Sequence, residues 1–294
     1  MNIRPRRSVL YMPGSNARAL EKAKTLPADA LIFDLEDAVA PDAKEVAREQ
    51  VISAVKAGGY GKREIVIRVN GLSTPWGLAD LKAAAHAGAD AILIPKVQAP
   101  ADLEAVRSIL REEGTPVALP LWAMMETPFA VLNALAIAEA APGDYPLTAL
   151  VMGTNDLAKE TRAALGGNRF GMASWLSNCI AAGRAFGLDV IDGVFNAIGD
   201  EEGLIAELKQ GRFLGMDGKT LIHPSQIGPC NDIFSPKPEE VEWARKVVAV
   251  FEVPENRDKG VVKLEGQMVE RLHAEMAKRT VALSEMIAER EPSR

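Results

Sequence analysis

Thiols and imidazoles are scarce in this chain, which has two cysteines and three histidines among 294 residues. Cys179 and Cys230 stand alone with no Cys-x-x-Cys spacing, and His86, His223 and His273 lack ligand spacing. A disulfide framework and a zinc site therefore have no support, and both thiols are expected to be reduced. Aromatic residues make up only 5%, and no run reaches the ~18 apolar residues of a membrane span. The start, Met1-Asn-Ile-Arg-Pro-Arg-Arg, is charged but is not followed by an apolar stretch of signal-peptide length, so the cytoplasm is the expected compartment. Basic excess is also missing. A net charge of −6 argues against a nucleic-acid or anionic-membrane surface, while leaving room for a local basic patch on a phosphorylated ligand.

What the chain does contain is apolar. Hydrophobic residues amount to 48%, enough for one large α/β domain with a full core, with or without an appendage. Short runs of Val, Ile and Leu recur at Ser8–Met12, Ala30–Leu35, Glu64–Val69, Ala91–Val97, Leu119–Met125, Leu147–Met152, Val190–Phe195 and, more weakly, Phe213–Leu221. They are nearly continuous rather than alternating, as strands buried on both faces are. Between them, Ala17–Lys24, Asp42–Ala57, Trp76–Ala87, Pro100–Glu112 and Phe129–Ala140 have helical spacing, with Pro, Asp or Ser at several starts and Gly after several ends. Eight such units predict a (β/α)8 TIM barrel over 1–235. The doubly wound alternative lacks a Gly-x-Gly-x-x-Gly after the first strand, where Pro13-Gly-Ser-Asn is only a turn. A C-terminal helical extension is expected over 236–294, with a helix at Glu239–Phe251 and another from about Leu264 to Glu289 carrying Met268, Leu272, Met276 and Leu283.

In a parallel barrel all strand C-termini open on one face, so polar residues that end apolar runs converge there. The set is Asp34, Glu36, Asp37, Arg68, Asn70, Lys96, Glu126, Asn155, Asp156, Asp192 and His223. Many carboxylates and few histidines suit a hard, oxygen-preferring cation such as Mg²⁺. Glu126 in Trp122-Ala-Met-Met-Glu-Thr-Pro and Asp156 in Val151-Met-Gly-Thr-Asn-Asp-Leu are the best metal pair, since each lies just past a strand and before a helix start. Helix capping is the competing reading of the same position. Arg68 lies within a β-branched strand and needs an anion. A bidentate substrate carboxylate and a structural pair with Glu36 or Asp37 are both open. Lys96 admits a rival Schiff-base chemistry, although the acidic cluster would keep it protonated. Tyr11, Arg18 and Lys22 follow the first strand, and the two cations share a helix face that either holds nucleotide phosphates or is simply solvated. Gly166-Gly-Asn-Arg-Phe-Gly lies in a long connection and is expected to be a mobile loop.

Arg6-Arg-Ser-Val-Leu-Tyr-Met-Pro-Gly, Phe33-Asp-Leu-Glu-Asp-Ala-Val, Arg68-Val-Asn, Pro95-Lys-Val, Met125-Glu-Thr, Asn155-Asp-Leu, Asp192-Gly-Val and Gly218-Lys-Thr-Leu-Ile-His-Pro-Ser-Gln-Ile occur in that order. With their spacing they resemble the citrate lyase β-subunit-like CoA ester lyases of the HpcH/HpaI aldolase superfamily. That group includes malyl-CoA, methylmalyl-CoA and citramalyl-CoA lyases. The resemblance covers nearly the whole chain and implies a Mg²⁺-dependent barrel, a homotrimer or dimer of trimers, acting on an acyl-CoA and a 2-oxo acid such as glyoxylate or pyruvate. It implies Glu126 and Asp156 as metal ligands, Arg68 on the oxo-acid carboxylate, Tyr11, Arg18 and Lys22 at the CoA portion, and Ile191 and Asp192 near substrate. Where relatives often carry lysine at two of the cation positions, Arg18 keeps the charge but not the geometry.

In the lyase reaction a C3 alkoxide collapses to a carbonyl while the thioester enolate leaves and is protonated. The resemblance places that acid/base on an aspartate of the extension, in a Gly-x-Met-Ile-Asp segment reaching a neighbouring subunit's site. Here the stretch is Gly266-Gln-Met-Val-Glu-Arg, so the position is Glu270, one methylene longer, and an ordinary exposed glutamate is the alternative. Lyase chemistry is the leading expectation. Hydrolysis of (3S)-malyl-CoA, a β subunit working only within a citrate lyase complex, and a CoA-ligand binding protein without proton transfer are the others.

Overall fold

Runs of Val, Ile and Leu punctuated by Gly-, Pro- and Asp-bearing turns fold as eight parallel strands that close in sequence order. In the computed structural model, which describes residues 4–290, these are β1 Ser8–Pro13, β2 Ala30–Asp34, β3 Glu64–Arg68, β4 Ala91–Ile94, β5 Leu121–Met125, β6 Leu147–Met152, β7 Asp189–Asp192 and β8 Gly218–Leu221. β1 pairs with both β2 and β8, which completes a closed TIM barrel. Helices alternate with the strands: α1 Ala17–Lys22, α2 Lys44–Ala57, α3 Gly77–Ala85, α4 Pro100–Glu112, α5 Pro128–Leu132, α6 Ala134–Glu139, α7 Thr154–Thr161, α8 Ala173–Ala185, α9 Glu201–Leu214 and α10 Ile227–Phe234. Side-chain caps set several starts: the Asn16, Thr127 and Asp200 side chains accept from Ala19, Ala130 and Gly203 N–H groups.

Successive strand residues face opposite ways, so one register fills the barrel. Val9, Ala30, Ile32, Val66, Ala91, Leu93, Trp122, Met124, Ala149, Val151 and Ile191 form that inner core. The end at the strand N-termini is shut by Arg6, which lies over the Trp122 ring at 4.7 Å and pairs with Glu64 at 2.7 Å and Asp189 at 2.8 Å. Toward the strand C-termini the same register turns polar or small. Two residues beyond Val9, Ile32, Val66 and Met124 come Tyr11, Asp34, Arg68 and Glu126, while two beyond Val151 and Ile191 come Gly153 and Gly193. A rim of charged side chains over small residues is what leaves room for a site.

Two compact units divide the described residues, Arg6–Asp232 and residues 233–290 together with Arg4 and Pro5. The second unit contains α11 Pro238–Glu252, a hairpin of β9 Val261–Leu264 and β10 Gln267–Glu270, and α12 Arg271–Arg290. Ala244, Val247, Phe251, Val269, Ala274 and Ala277 are its core. The final helix expected from Leu264 therefore starts seven residues later, because Glu265 and Gly266 both take positive φ (47° and 85°) and turn the chain back as a two-residue hairpin loop. Met268, Leu272 and Met276, expected as a packing stripe, are exposed within this chain. The eighth strand is also shorter than its apolar run. Phe213 and Leu214 end α9, and Gly215 at φ 99° terminates that helix. No helix among the described residues is long and apolar enough to cross a membrane.

Candidate active site

Arg68 and Asp34 stand opposite each other in the register between β2 and β3. The pairing is bidentate: Nε and Nη2 of Arg68 each donate to an Asp34 oxygen at 2.7 Å. Asp34 also accepts the N–H groups of Glu36 and Ala38 at 2.9 and 3.0 Å. Burial opposes its ionisation, but Arg68 and those two backbone donors outweigh burial and hold Asp34 below the usual carboxylate range. Lys44 ties down the same turn by donating to the carbonyls of Leu35 and Glu36 at 2.9 and 2.7 Å and to Asn70 Oδ1 at 2.8 Å. The remaining Arg68 nitrogen, Nη1, lies 2.9 Å from Glu36 and 3.4 Å from Asp37, and the guanidinium stacks 4.8 Å from the Tyr11 ring centroid. Glu36 Oε2 is off the line of any N–H and makes no hydrogen bond. Burial pushes the Glu36 carboxyl up to about 8. Arg68 pulls it back only in part, and Glu126, Asp37 and Asp34 add to the rise.

Glu126 follows β5 and is fully buried, while Asp156, two residues into α7, is partly exposed. Lys96, just past β4, links them. Its N–H donates to Glu126 Oε1 at 2.7 Å, and its ammonium lies 2.7 Å from Asp156 Oδ1 and 3.6 Å from Glu126 Oε1. This geometry holds Lys96 in the left-handed region at φ 54°, a conformation that costs a non-glycine residue ~1–2 kcal/mol. Burial works against the Lys96 charge, yet Asp156 and Glu126 outweigh it and raise the pKa. An ammonium so held is not the free amine that a Schiff base needs. Burial likewise raises Glu126, and Lys96 opposes that rise. Gly153 makes the close packing possible: a Cβ there would stand 2.8 Å from Glu126 Oε2.

Tyr11, Arg68, Glu126 and Asp156 line one cavity of about 280 Å³, together with Asp34, Asp37, Met124, Asn155, Asn196 and Thr220. Asn155 and Asn196 exchange hydrogen bonds at 3.2 and 2.7 Å, joining the start of α7 to the loop after β7. The other expected residues lie elsewhere. Arg18 and Lys22 are exposed on α1, and Ile191 is in the barrel core. Asp192 is a correction to the convergent-rim expectation. Since Ile191 points inward, its neighbour points toward the helices, where Asp192 pairs with Arg169 at 2.6 Å and Lys219 at 3.0 Å. Arg169 is buried within the glycine-rich stretch expected to be a mobile loop, which this ion pair fastens to the barrel. Glu270 ends β10 in the second unit, exposed, with its N–H donating to His273 Nδ1 at 2.9 Å. It is a hairpin residue, not a helical one.

Sequence reading missed Asp34 as the principal partner of Arg68, and the roles of Lys44, Arg169 and Lys219. The cue for Asp34 was present: an inward carboxylate and an inward guanidinium at matching ends of consecutive strands. Among the described residues no three His, Cys, Asp or Glu side chains are grouped as metal ligands. The pair Glu126 and Asp156 still fits a hard divalent ion, which takes one or two protein carboxylates plus waters and substrate oxygens. The buried Glu126 Oε2 lacks any hydrogen-bond partner, and that is the atom such an ion would satisfy.

Residues 7–224 match the HpcH/HpaI aldolase/citrate lyase family. The chain belongs to that family. It is 53% identical over 285 residues to a (3S)-malyl-CoA thioesterase of Cereibacter sphaeroides (strain KD131 / KCTC 12085), covering 97% of this chain and 96% of the relative. It is 32% identical to an L-malyl-CoA/beta-methylmalyl-CoA lyase of Cereibacter sphaeroides (strain ATCC 17025 / ATH 2.4.3), over 97% of this chain and 96% of that one. Among solved structures, CitE from Mycobacterium tuberculosis in complex with magnesium, acetoacetate and coenzyme A superimposes with a TM-score of 0.76 at 27% identity, covering 97% of this chain and 99% of that chain.

Proposed function

We propose that this chain is a Mg²⁺-dependent hydrolase of (3S)-malyl-CoA that releases malate and CoA. The observation that carries the reading is the 53% identity to a (3S)-malyl-CoA thioesterase across 97% of the chain. The cavity agrees with it: about 280 Å³ ringed by charged side chains suits a four-carbon diacyl group. The CoA portion then lies outside, where the exposed Arg18 and Lys22 offer charge to phosphates and Tyr11 borders the acyl end. Glu126 and Asp156 would hold the Mg²⁺ that the CitE relative was crystallised with. When bound, that ion supplies Lewis-acid stabilisation of charge on substrate oxygens. Arg68 Nη1 would turn from Asp37 and Glu36 to the free carboxylate of the malyl group, while its other nitrogens stay fixed by Asp34.

In hydrolysis a carboxylate takes a proton from water as its oxygen adds to the thioester carbonyl; the sulfur then leaves and is protonated to CoA thiol. We assign that carboxylate to Glu270, reaching the barrel of a neighbouring copy, with 236–294 acting as a lid. The exposed Met268, Leu272 and Met276 beside it give the hairpin and α12 an apolar face for a second protomer. A homotrimer or dimer of trimers in the cytoplasm is the corresponding assembly. Carbon–carbon cleavage to acetyl-CoA and glyoxylate is the second reading, supported by the 32% identical malyl-CoA lyase.

Purified protein given (3S)-malyl-CoA and Mg²⁺ decides between them by product. Malate and CoA without glyoxylate is the expected result. Glyoxylate and acetyl-CoA as main products would install the lyase, and no turnover of malyl-, methylmalyl- or citramalyl-CoA would sink both.

A further inference from the structure

Lys96 directs two of its own donors at the carboxylate pair. The backbone N–H engages Glu126 Oε1 at 2.7 Å, and the ammonium lies 2.7 Å from Asp156 Oδ1 and 3.6 Å from Glu126 Oε1. The ammonium thus stands between the two side chains assigned to a divalent ion, facing Oδ1 of Asp156 and Oε1 of Glu126. The left-handed backbone at φ 54° is what lets one residue send both groups the same way. Two further features mark this as a built arrangement and not a surface pair. Glu126 lines the cavity yet is fully buried, and its second oxygen, Oε2, has no hydrogen-bond partner. Gly153 has no side chain where one would displace that oxygen.

We propose that Lys96 is a tethered cation that occupies the divalent-metal seat between Glu126 and Asp156 when the metal is absent, and that the metal binds by displacing its ammonium. This rests on the metal reading given under Proposed function. Two carboxylates converging in a mostly buried rim repel each other, and a fixed positive charge keeps them assembled without an ion. The same charge must be moved or repelled each time a divalent ion enters, so it sets metal affinity below what the bare pair would give. Substrate oxygens that complete the coordination shell then offset the deficit, which makes metal retention depend on substrate.

The test is Mn²⁺ binding to the chelator-treated full chain at pH 8 without substrate, read by electron paramagnetic resonance. Lys96→Met, which keeps the apolar stem and removes the charge, is expected to bind Mn²⁺ at least about tenfold more tightly than the wild type, a change of about 1.4 kcal/mol. Lys96→Arg is expected to bind no more tightly than the wild type. Thermal melts give an independent readout: in chelator Lys96→Met should melt below the wild type, and saturating Mg²⁺ should raise its midpoint by more than it raises that of the wild type. Lys96→Gly, which removes the charge and tolerates positive φ, repeats the comparison if the Met variant folds poorly. Equal or weaker Mn²⁺ binding by the charge-removed variants overturns this proposal alone. Absence of Mn²⁺ binding by the wild type and every variant overturns the metal reading and this proposal together.

Discussion

Gly153 shows how a residue without a side chain shapes the chemistry of its neighbours. It continues the inward register of Ala149 and Val151, and a methyl group there would reach within 2.8 Å of Glu126 Oε2. Gly153→Ala is expected to cost ~1–3 kcal/mol of stability through overpacking and to weaken Mn²⁺ binding about tenfold, checked by thermal melts and Mn²⁺ titration. Asp192 makes the opposite point, since a carboxylate at a strand end is spent on structure. Its burial favours the neutral acid, but Lys219 and Arg169 outweigh that and depress its pKa. A depressed carboxylate pKa contributes stability above its unfolded value near 4 and loses it as pH falls through the lower folded value. Asp192→Asn should therefore destabilise the protein by ~3–5 kcal/mol at pH 7, where it leaves two buried cations short of a counter-charge. The gap from wild type should close below about pH 4 in urea melts run across pH. A constant gap down to pH 2 would contradict the assignment of Asp192 as an ionised structural residue.

At the level of elements, the apolar runs identified the eight strands because a parallel barrel buries both strand faces and leaves continuous Val, Ile and Leu signals. Boundaries drifted where a second force took over. Asn133 divides the helix expected at Phe129–Ala140 into α5 and α6, and Gly215 ends α9 within the run assigned to β8. The missed element was the β9–β10 hairpin. Met268, Leu272 and Met276 repeat at a spacing of four and imitate a helix, whereas Glu265-Gly266 was the turn signal that outranked them. A Cβ at Gly266 meets nothing within 4 Å, so the cost of Gly266→Ala is conformational, about 1–2 kcal/mol, and should appear as earlier melting of the second unit. Amide exchange confined to Val261–Glu270 and its neighbours would locate that loss.

For the whole molecule, the proposed sharing of a site between copies makes a sharp prediction. Arg68→Ala removes the carboxylate clamp and Glu270→Gln removes the proton acceptor, so each alone should lower malyl-CoA turnover at least about a hundredfold, about 2.7 kcal/mol. If Glu270 serves a neighbour, mixing the two variants under subunit exchange should rebuild some intact sites and restore a measurable fraction of activity. Light scattering should give a trimer or its double. A monomer with full activity, or mixtures no more active than the parents, would remove Glu270 from another copy's site.

By itself the sequence determined the alternation of strands and helices, the barrel, the family, and the set of polar residues ending apolar runs, because each is written in local periodicity or in ordered short motifs. Strand pairing and inward register decided the rest. They set Asp34 against Arg68, put Lys96 between Glu126 and Asp156, and turned Asp192 away from the cavity. A one-residue difference in facing separates a rim carboxylate from a buried structural one, and only the closed sheet says which way each residue points.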